Sequence, residues 1–437
     1  MALSQHVLSS HPLNAEPSPS SLVSSFLTPV DVSFHRNHGE WVSEPDSYTL
    51  SIVNEVSALP NVSTSLTLAE LQRRGPQASV TALLACAGNR REEMSAEKET
   101  EGLQWGKSAI SNCQYGGILL RDVFAEYGIS LEQLEREGKA DGLHIHFESE
   151  QKCEEDTFFA SSLPIRMALD PDRPVLLAYE MNGAPLTQAH GAPLRLVVPG
   201  VIGARSVKWL AKIAIRDKES ENFYVQRDYK VLPPETTPET KEAHLKQVSP
   251  LMEFPLNAEI CDPEDGAVLD ISSGAKIRVK GYAVGSKGVP IASVRVTLVP
   301  LPVPPQSSPF AVTTPEIATS ELHQIRLHAA TLPVDAWVDA ELDAGPPPPE
   351  GQSQASGGKK KHYWGWTLFS ASLPVSREIA QLATLAVGGN GADAALVAYA
   401  ADADGQVQQL QTPWNLRGVA EASWSVVEVK VRKLVAA

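Results

Sequence analysis

The chain has 437 residues, 43% hydrophobic and 20% charged, a globular composition that excludes a single small module and wholesale disorder. Its 37 Lys and Arg against 52 Asp and Glu leave a net charge of −15, so no nucleic-acid partner is expected, and any anion must be met by locally gathered cations. No run of about 18 apolar residues is present to span a membrane.

Residues 1–25 are rich in Ser and Pro and hold no Lys or Arg, which matches neither a basic secretory leader nor an Arg-rich transit peptide, and they are expected to form a flexible arm. Cys86, Cys113, Cys153 and Cys261 fit neither a metal pair nor a disulfide framework and point to a reducing, cytoplasmic setting, with a peroxisome or mitochondrion as alternatives. From about residue 26 to 248, short apolar runs alternate with helix-like patterns, which predicts a mixed α/β unit. Thr67-Leu68-Ala69-Glu70 has capping-box form and opens a short helix that stops at Gly75-Pro76. Residues 79–86 then read as a strand, so Cys86 sits at a strand end, and Gly88 and Asn89 suit the turn that leaves it.

Residues 118–127 read as a helix after Gly116-Gly117. His144 and His146 share a face of a strand-like stretch but lack a third ligand at recognisable spacing, which favours structural or surface histidines. Residues 195–198 read as a strand, and 203–209 as a turn that sets backbone N–H groups beside cations, as phosphate cradles do. A Pro/Glu/Thr-rich linker over 233–246 leads to a second unit, 249–437, whose alternating segments predict an antiparallel sandwich. Low-complexity inserts near 300–330 and 344–361, the latter ending in the solvated run Lys359 to Lys361, are expected to be mobile loops that supply no core.

Arginine, lysine and histidine gather in four turn-like segments: 34–38, 86–91, 190–195 and 205–208. Arginine's planar fork can hold two oxygens of an oxyanion at once. A lone Cys86 would ordinarily be a small buried hydrophobe, but Arg90 and Arg91 beside it favour a thiolate that ligates a soft metal or attacks an electrophile. No histidine is identifiable by spacing as its base, which a ligand does not need.

With these residues in view, the chain resembles the sulfite oxidase family of molybdopterin enzymes. Cys86-Ala87-Gly88-Asn89-Arg90-Arg91 is similar to the family's molybdenum-ligand motif, Arg36-Asn37-His38 to its early cofactor motif, and residues 177–183 (Leu-Ala-Tyr-Glu-Met-Asn-Gly) to its central signature. His190 to Arg195, Val198-Pro199-Gly200, Gly203 to Leu210, Gln226 to Lys230 and Trp414 to Gly418 continue the family order. The resemblance implies an α+β protein: a mixed α/β molybdopterin domain followed by an all-β immunoglobulin-like sandwich through which the family forms homodimers. It implies a molybdenum-molybdopterin cofactor with Cys86 on the metal. Phe34, His35, Arg36, His38, His190, Arg195, Ser206, Val207 and Lys208 would surround the pterin and its phosphate, and Arg36, Arg91, Trp105, Tyr229 and Arg417 the substrate, sulfite. Electrons would pass to dioxygen or an external carrier, with no haem domain expected in so short a chain. A nitrate reductase-type molybdenum domain shares the cysteine motif but typically carries Met where Arg417 stands; a non-catalytic pterin-fold dimer is opposed by the intact Cys86 and arginine set. Gln151 stands where the family often has Asp, and Asn112-Cys113-Gln114-Tyr115 replaces a more usual Ala-Arg-Trp stretch.

Overall fold

The computed structural model describes residues 5–42, 47–75, 77–271, 276–303, 320–346, 362–376, 379–381, 383 and 392–432. The N-terminal residues expected to form a flexible arm instead make a hairpin of β1 (Gln5–Ser10) and β2 (Leu13–Pro17), followed by a short helix, Pro19–Leu22. The reason lies in β2, whose Asn14, Ala15 and Glu16 are all buried. Polar composition is a poor guide here because these polar groups find partners inside the fold.

Two five-stranded sheets make the first unit. One runs Ala184–Pro185, Leu176–Met181, Ile110–Leu119, Gln77–Ala85, with Arg195–Val197 also paired to Leu176–Met181. The other runs Ser63–Thr67, Thr49–Asn54, Leu210–Arg216, His144–Ser149, Ala160–Pro164, and only the Thr49–Asn54 with Leu210–Arg216 pair is parallel. The capping box forms as the sequence predicts: Glu70 N–H donates to Thr67 Oγ1 at 3.2 Å, Thr67 N–H donates to Glu70 Oε2 at 2.8 Å, and the helix covers Leu68–Arg73. The strand Gln77–Ala85 that follows delivers Cys86 at its end.

The predicted helix over 118–127 begins later, at Leu120–Ala125, because Ile118 and Leu119 pair with Leu177 and Leu176 as strand. Gly117 permits this approach, since a Cβ there would lie 2.1 Å from the Leu177 carbonyl oxygen. His146 is structural, as its surroundings show: Nε2 donates to the Lys218 carbonyl at 2.8 Å and Nδ1 accepts from Arg216 at 3.0 Å. Among the described residues no His, Cys, Asp or Glu cluster is placed to hold a metal by itself.

The second unit is a two-sheet sandwich: Asn257–Asp262, Ile277–Val284, Thr367–Leu373, Glu341–Asp343 face Ala267–Asp270, Ser425–Arg432, Ala392–Asp402, Ile291–Pro300, Val338–Asp339. Alternation buries Ile277 and Val279 from one sheet and Val294 and Val296 from the other. The insert near 300–330 is partly structural, contrary to expectation. Ser320 caps a helix, Glu321–Thr331, that buries Ile325, Arg326, Leu327 and Ala329 against the sandwich. Residues 304–319 and 347–361 lie outside the described residues. No described helix is long and apolar enough to cross a membrane.

Candidate active site

A cleft with about 770 Å³ of unfilled space, counted to its open mouth, lies beyond the end of the strand Gln77–Ala85. Into it the fold brings Phe34, Arg36, His38, Cys86, His190, Arg195, Ser206, Lys208 and Tyr229, which span almost 200 residues of sequence. His35 lies behind, stacked on His190 with ring centroids 5.2 Å apart. Val207 is fully buried and contributes backbone, its carbonyl accepting from Leu196 N–H at 2.8 Å. Sequence reading does not assign Asn37, Tyr115 or Ser111 to the site, whereas Gln151, noted there as standing at a usual Asp position, lines the cleft. Only Asn37 could have been found, since it sits inside the Arg36-Asn37-His38 motif.

Cys86 is 5% exposed in a turn where its N–H donates to the Ala109 carbonyl at 2.8 Å and its carbonyl accepts from Asn89 at 3.1 Å. Arg90, at φ +67°, turns away from the thiol: Nε donates to Glu93 and lies 2.9 Å from Glu259, and Nη1 donates to Asn257 and the Ser423 carbonyl. The expected cation beside Cys86 is therefore Arg91 alone. Arg91 Nε donates to the Arg417 and Gly418 carbonyls and Nη1 to Leu103, while the backbone opens to admit the guanidinium. A Cβ at Gly88 would lie 2.3 Å from Nη2, and one at Gly418 2.6 Å from Cγ. Burial lowers the Arg91 pKa to about 10, opposed by the Cys86 charge and reinforced by Arg417 and Arg36.

Trp105 and Ala109 pack with Cys86, and Phe34 and Leu103 close the cluster. Trp105 is fully buried, yet its Nε1–H has no partner among the described residues, and neither has His35 Nδ1. Unmet groups in so closed a place mark where a ligand's polar atoms belong.

The cations divide the same way. Arg195 donates to the His190 and Ser206 carbonyls, Lys208 to Asn37 Oδ1 and the Ala189 carbonyl, and Arg36 to Asn14, the Asn37 carbonyl and His38. Among the described residues no carboxylate pairs with any of these, nor with Arg91. Burial, with Arg195 and Arg36 adding repulsion, pushes the Lys208 pKa well below its usual 10.5. Burial likewise lowers His190 to about 3 and His35 to about 4, with Lys208 adding to both, so the stacked pair is neutral at pH 7. Such a wall has positive charge and donors to spare for a multiply charged anion.

Arg417 departs from expectation. Its guanidinium is given to Asp228 and, at 3.0 Å, to Glu101, so its charge is met, and it reaches the site through its carbonyl on Arg91. Next to Asp228, Tyr229 Oη lies 2.7 Å from His38 Nε2. The donor can be assigned. Arg36 Nη2, 3.2 Å from His38 Nδ1, can only donate, so Nδ1 accepts. Burial, then Arg36, Arg417 and Lys208, hold His38 neutral, which leaves its proton on Nε2 pointing at Tyr229 Oη. Burial also keeps Tyr229 protonated at neutral pH, with its O–H free to donate into the cleft.

Residues 38–224 match the family described as oxidoreductase molybdopterin binding domain. The chain is 34% identical to a sulfite oxidase of Arabidopsis thaliana over 96% of its own length and 92% of the relative's. To the mitochondrial sulfite oxidase of Rattus norvegicus it is 33% identical over 97% of its length, but it spans 65% of that protein. To an NADH nitrate reductase of Hordeum vulgare it is 35% identical over 66% of this chain and 32% of that one. The solved sulfane dehydrogenase SoxCD of Paracoccus pantotrophus shares the fold, with a TM-score of 0.66 at 20% identity over 99% of this chain and 91% of that one.

Proposed function

The chain belongs to the sulfite oxidase family of molybdopterin-dependent oxidoreductases, and from that premise we propose that it oxidises sulfite to sulfate and passes the electrons to dioxygen or an external carrier. The observation that carries this reading is the cleft wall on which buried Arg195 and half-buried Arg36 and Lys208, all without carboxylate partners among the described residues, share a cavity with the Cys86 thiol. Those residues fit a molybdenum-molybdopterin cofactor: a soft ligand for the metal at one side, and cations, Ser206 and neutral histidines for the pterin and its phosphate at the other. When bound, the cofactor supplies the transferred oxygen atom and accepts the two electrons.

The chain's own residues do the remaining work. Arg36 and Arg91 hold positive charge where a small dianion must approach, and burial makes each contact stronger than it would be in water. Tyr229 O–H and Trp105 Nε1–H are donors without another duty and orient the anion's oxygens. Trp105, Leu103 and Ala109 keep bulk water from the thiol side. Arg417 positions Arg91 and, through Asp228, the residue next to Tyr229.

Two measurements test this together. Purified protein should hold one molybdenum per chain, and Cys86→Ser should abolish sulfite-dependent ferricyanide reduction; full activity in that variant removes Cys86 from the metal. Nitrate turned over faster than sulfite would place the chain with the nitrate-reducing branch instead.

A further inference from the structure

The β1–β2 hairpin lies outside both sheets of the first unit, and the chemistry proposed above gives it no task. Asn14 and Glu16 stand two apart on β2, so their side chains share the inward face. Both are nearly fully buried, at 2% and 4% exposure. Asn14 Oδ1 accepts from Asn37 N–H at 2.8 Å and from Arg36 Nη1 at 3.3 Å, and Asn37 in turn donates to the Leu13 carbonyl and accepts from Lys208. Glu16 accepts Gly106 N–H at 2.7 Å on one carboxylate oxygen and Ser108 N–H at 3.0 Å on the other, which fixes the backbone on the far side of Trp105. Ala15, between them, exchanges backbone hydrogen bonds with His35 at 3.0 and 2.8 Å.

We propose that this hairpin is a strap that sets the substrate side of the cleft, with Asn14 and Glu16 acting as positioning residues for Arg36 and Trp105. Three consecutive residues thus grip two site segments about 70 positions apart in sequence. A two-stranded hairpin is marginally stable by itself, so its docking rests on these same contacts. Coupling of that kind is reciprocal: an anion that fixes Arg36 and Trp105 also tightens the hairpin.

The inference rests on the sulfite reading for its kinetic arm only. In the loaded, full-length enzyme, Asn14→Ala raises the sulfite KM about tenfold with kcat changed less than about threefold, the size of one hydrogen bond to a charged group that binds the ground and transition states alike. Asn14→Asp restores the KM, because its carboxylate still accepts from Arg36 and Asn37. Amide hydrogen exchange speeds up at residues 34–38 in Asn14→Ala and at 105–109 in Glu16→Ala. Val7→Ala, on the hairpin's exposed face at 45% exposure, changes neither readout. A merely structural role would lower the melting temperature and speed exchange everywhere without splitting KM from kcat or being rescued by Asp. Unchanged KM and unchanged local exchange in Asn14→Ala overturn the strap, whatever Glu16→Ala does. If the unmutated chain fails to turn over sulfite, the functional reading falls, and the exchange measurement, which needs no substrate, still decides the strap.

Discussion

Arg90 and Arg91 are neighbours in sequence and both are buried, yet they face opposite kinds of surroundings. Arg90 points into the junction between the two units, where Arg90, Lys107 and Arg326 meet Glu93, Glu97, Glu259 and Asp265 in a network of ion pairs. Arg91 turns toward the Cys86 thiol, where the charge of Arg36 acts on it, and like the cleft cations Arg36, Arg195 and Lys208 it pairs with no carboxylate among the described residues. Taking a charge from water costs several kcal/mol, so a fold tolerates it only when something repays the loss. At the junction the repayment comes from within the chain. In the cleft it must come from a ligand, and that is why the unpaired set, rather than the larger paired one, locates the site.

The comparison breaks most readily at Glu259, which is fully buried against Arg90 at 2.9 Å and Lys107 at 3.0 Å. Glu259→Ala leaves Arg90 with Glu93 as its remaining carboxylate and Lys107 with the exposed Asp265, and should lower the unfolding free energy by about 3 kcal/mol in urea titrations. A loss under about 1 kcal/mol would mean that the network contributes little more than a surface pair does.

The cleft should respond with the opposite sign. Lys208→Met removes a buried cation that has no counter-charge, so cofactor-free protein should become more stable, by about 1 kcal/mol, while retention of molybdenum falls at least tenfold. The same charge sets a pH signature. Since the folded pKa of Lys208 lies below 10.5, the unfolded chain binds more protons in between, and cofactor-free protein gains stability as pH rises toward 10.5. Lys208→Met should flatten that rise; an unchanged slope would show that Lys208 is repaid by groups already in the fold.

Much of this was legible beforehand, for reasons that can be stated residue by residue. The capping box at Thr67 and Glu70 is a local signal, and so is the apolar run that sets Cys86 at a strand end, because each rests on contacts within a few positions. The motifs around Arg36, Cys86 and His190 announced a site through residue type alone. What sequence could not give was direction: Arg90 and Arg91 read alike, and only the fold turns one toward Glu259 and the other toward the thiol. The hairpin was misread for a related reason. Asn14 and Glu16 look like loop residues until their partners, 22 to 92 positions away, are known. Arg417 was likewise assigned by motif, whereas Asp228 and Glu101 determine what its charge meets.

The finest test lies at the one point where the paired region behaves like the cleft. Arg326 gives Nη2 to Glu93 and Nη1 to Gln411 at 2.6 Å, and Glu97, at 3.5 Å, is its loosest partner. Glu97 Oε1 accepts from Gln411 at 2.7 Å and from Ser320, while Oε2 has no partner among the described residues. Burial, reinforced by the charge of Glu421, raises the Glu97 pKa from 4.5 to about 8 against those hydrogen bonds. The folded chain therefore keeps a proton that the unfolded chain releases. Its contribution to stability is complete below pH 4.5 and is lost as pH rises through 8, at no more than about 1.4 kcal/mol per pH unit. The stability difference between the unmutated chain and Glu97→Gln should fall across that window. A flat difference would mean that Arg326 holds Glu97 ionised throughout, and the junction would then be paired at every carboxylate, which makes its contrast with the cleft complete.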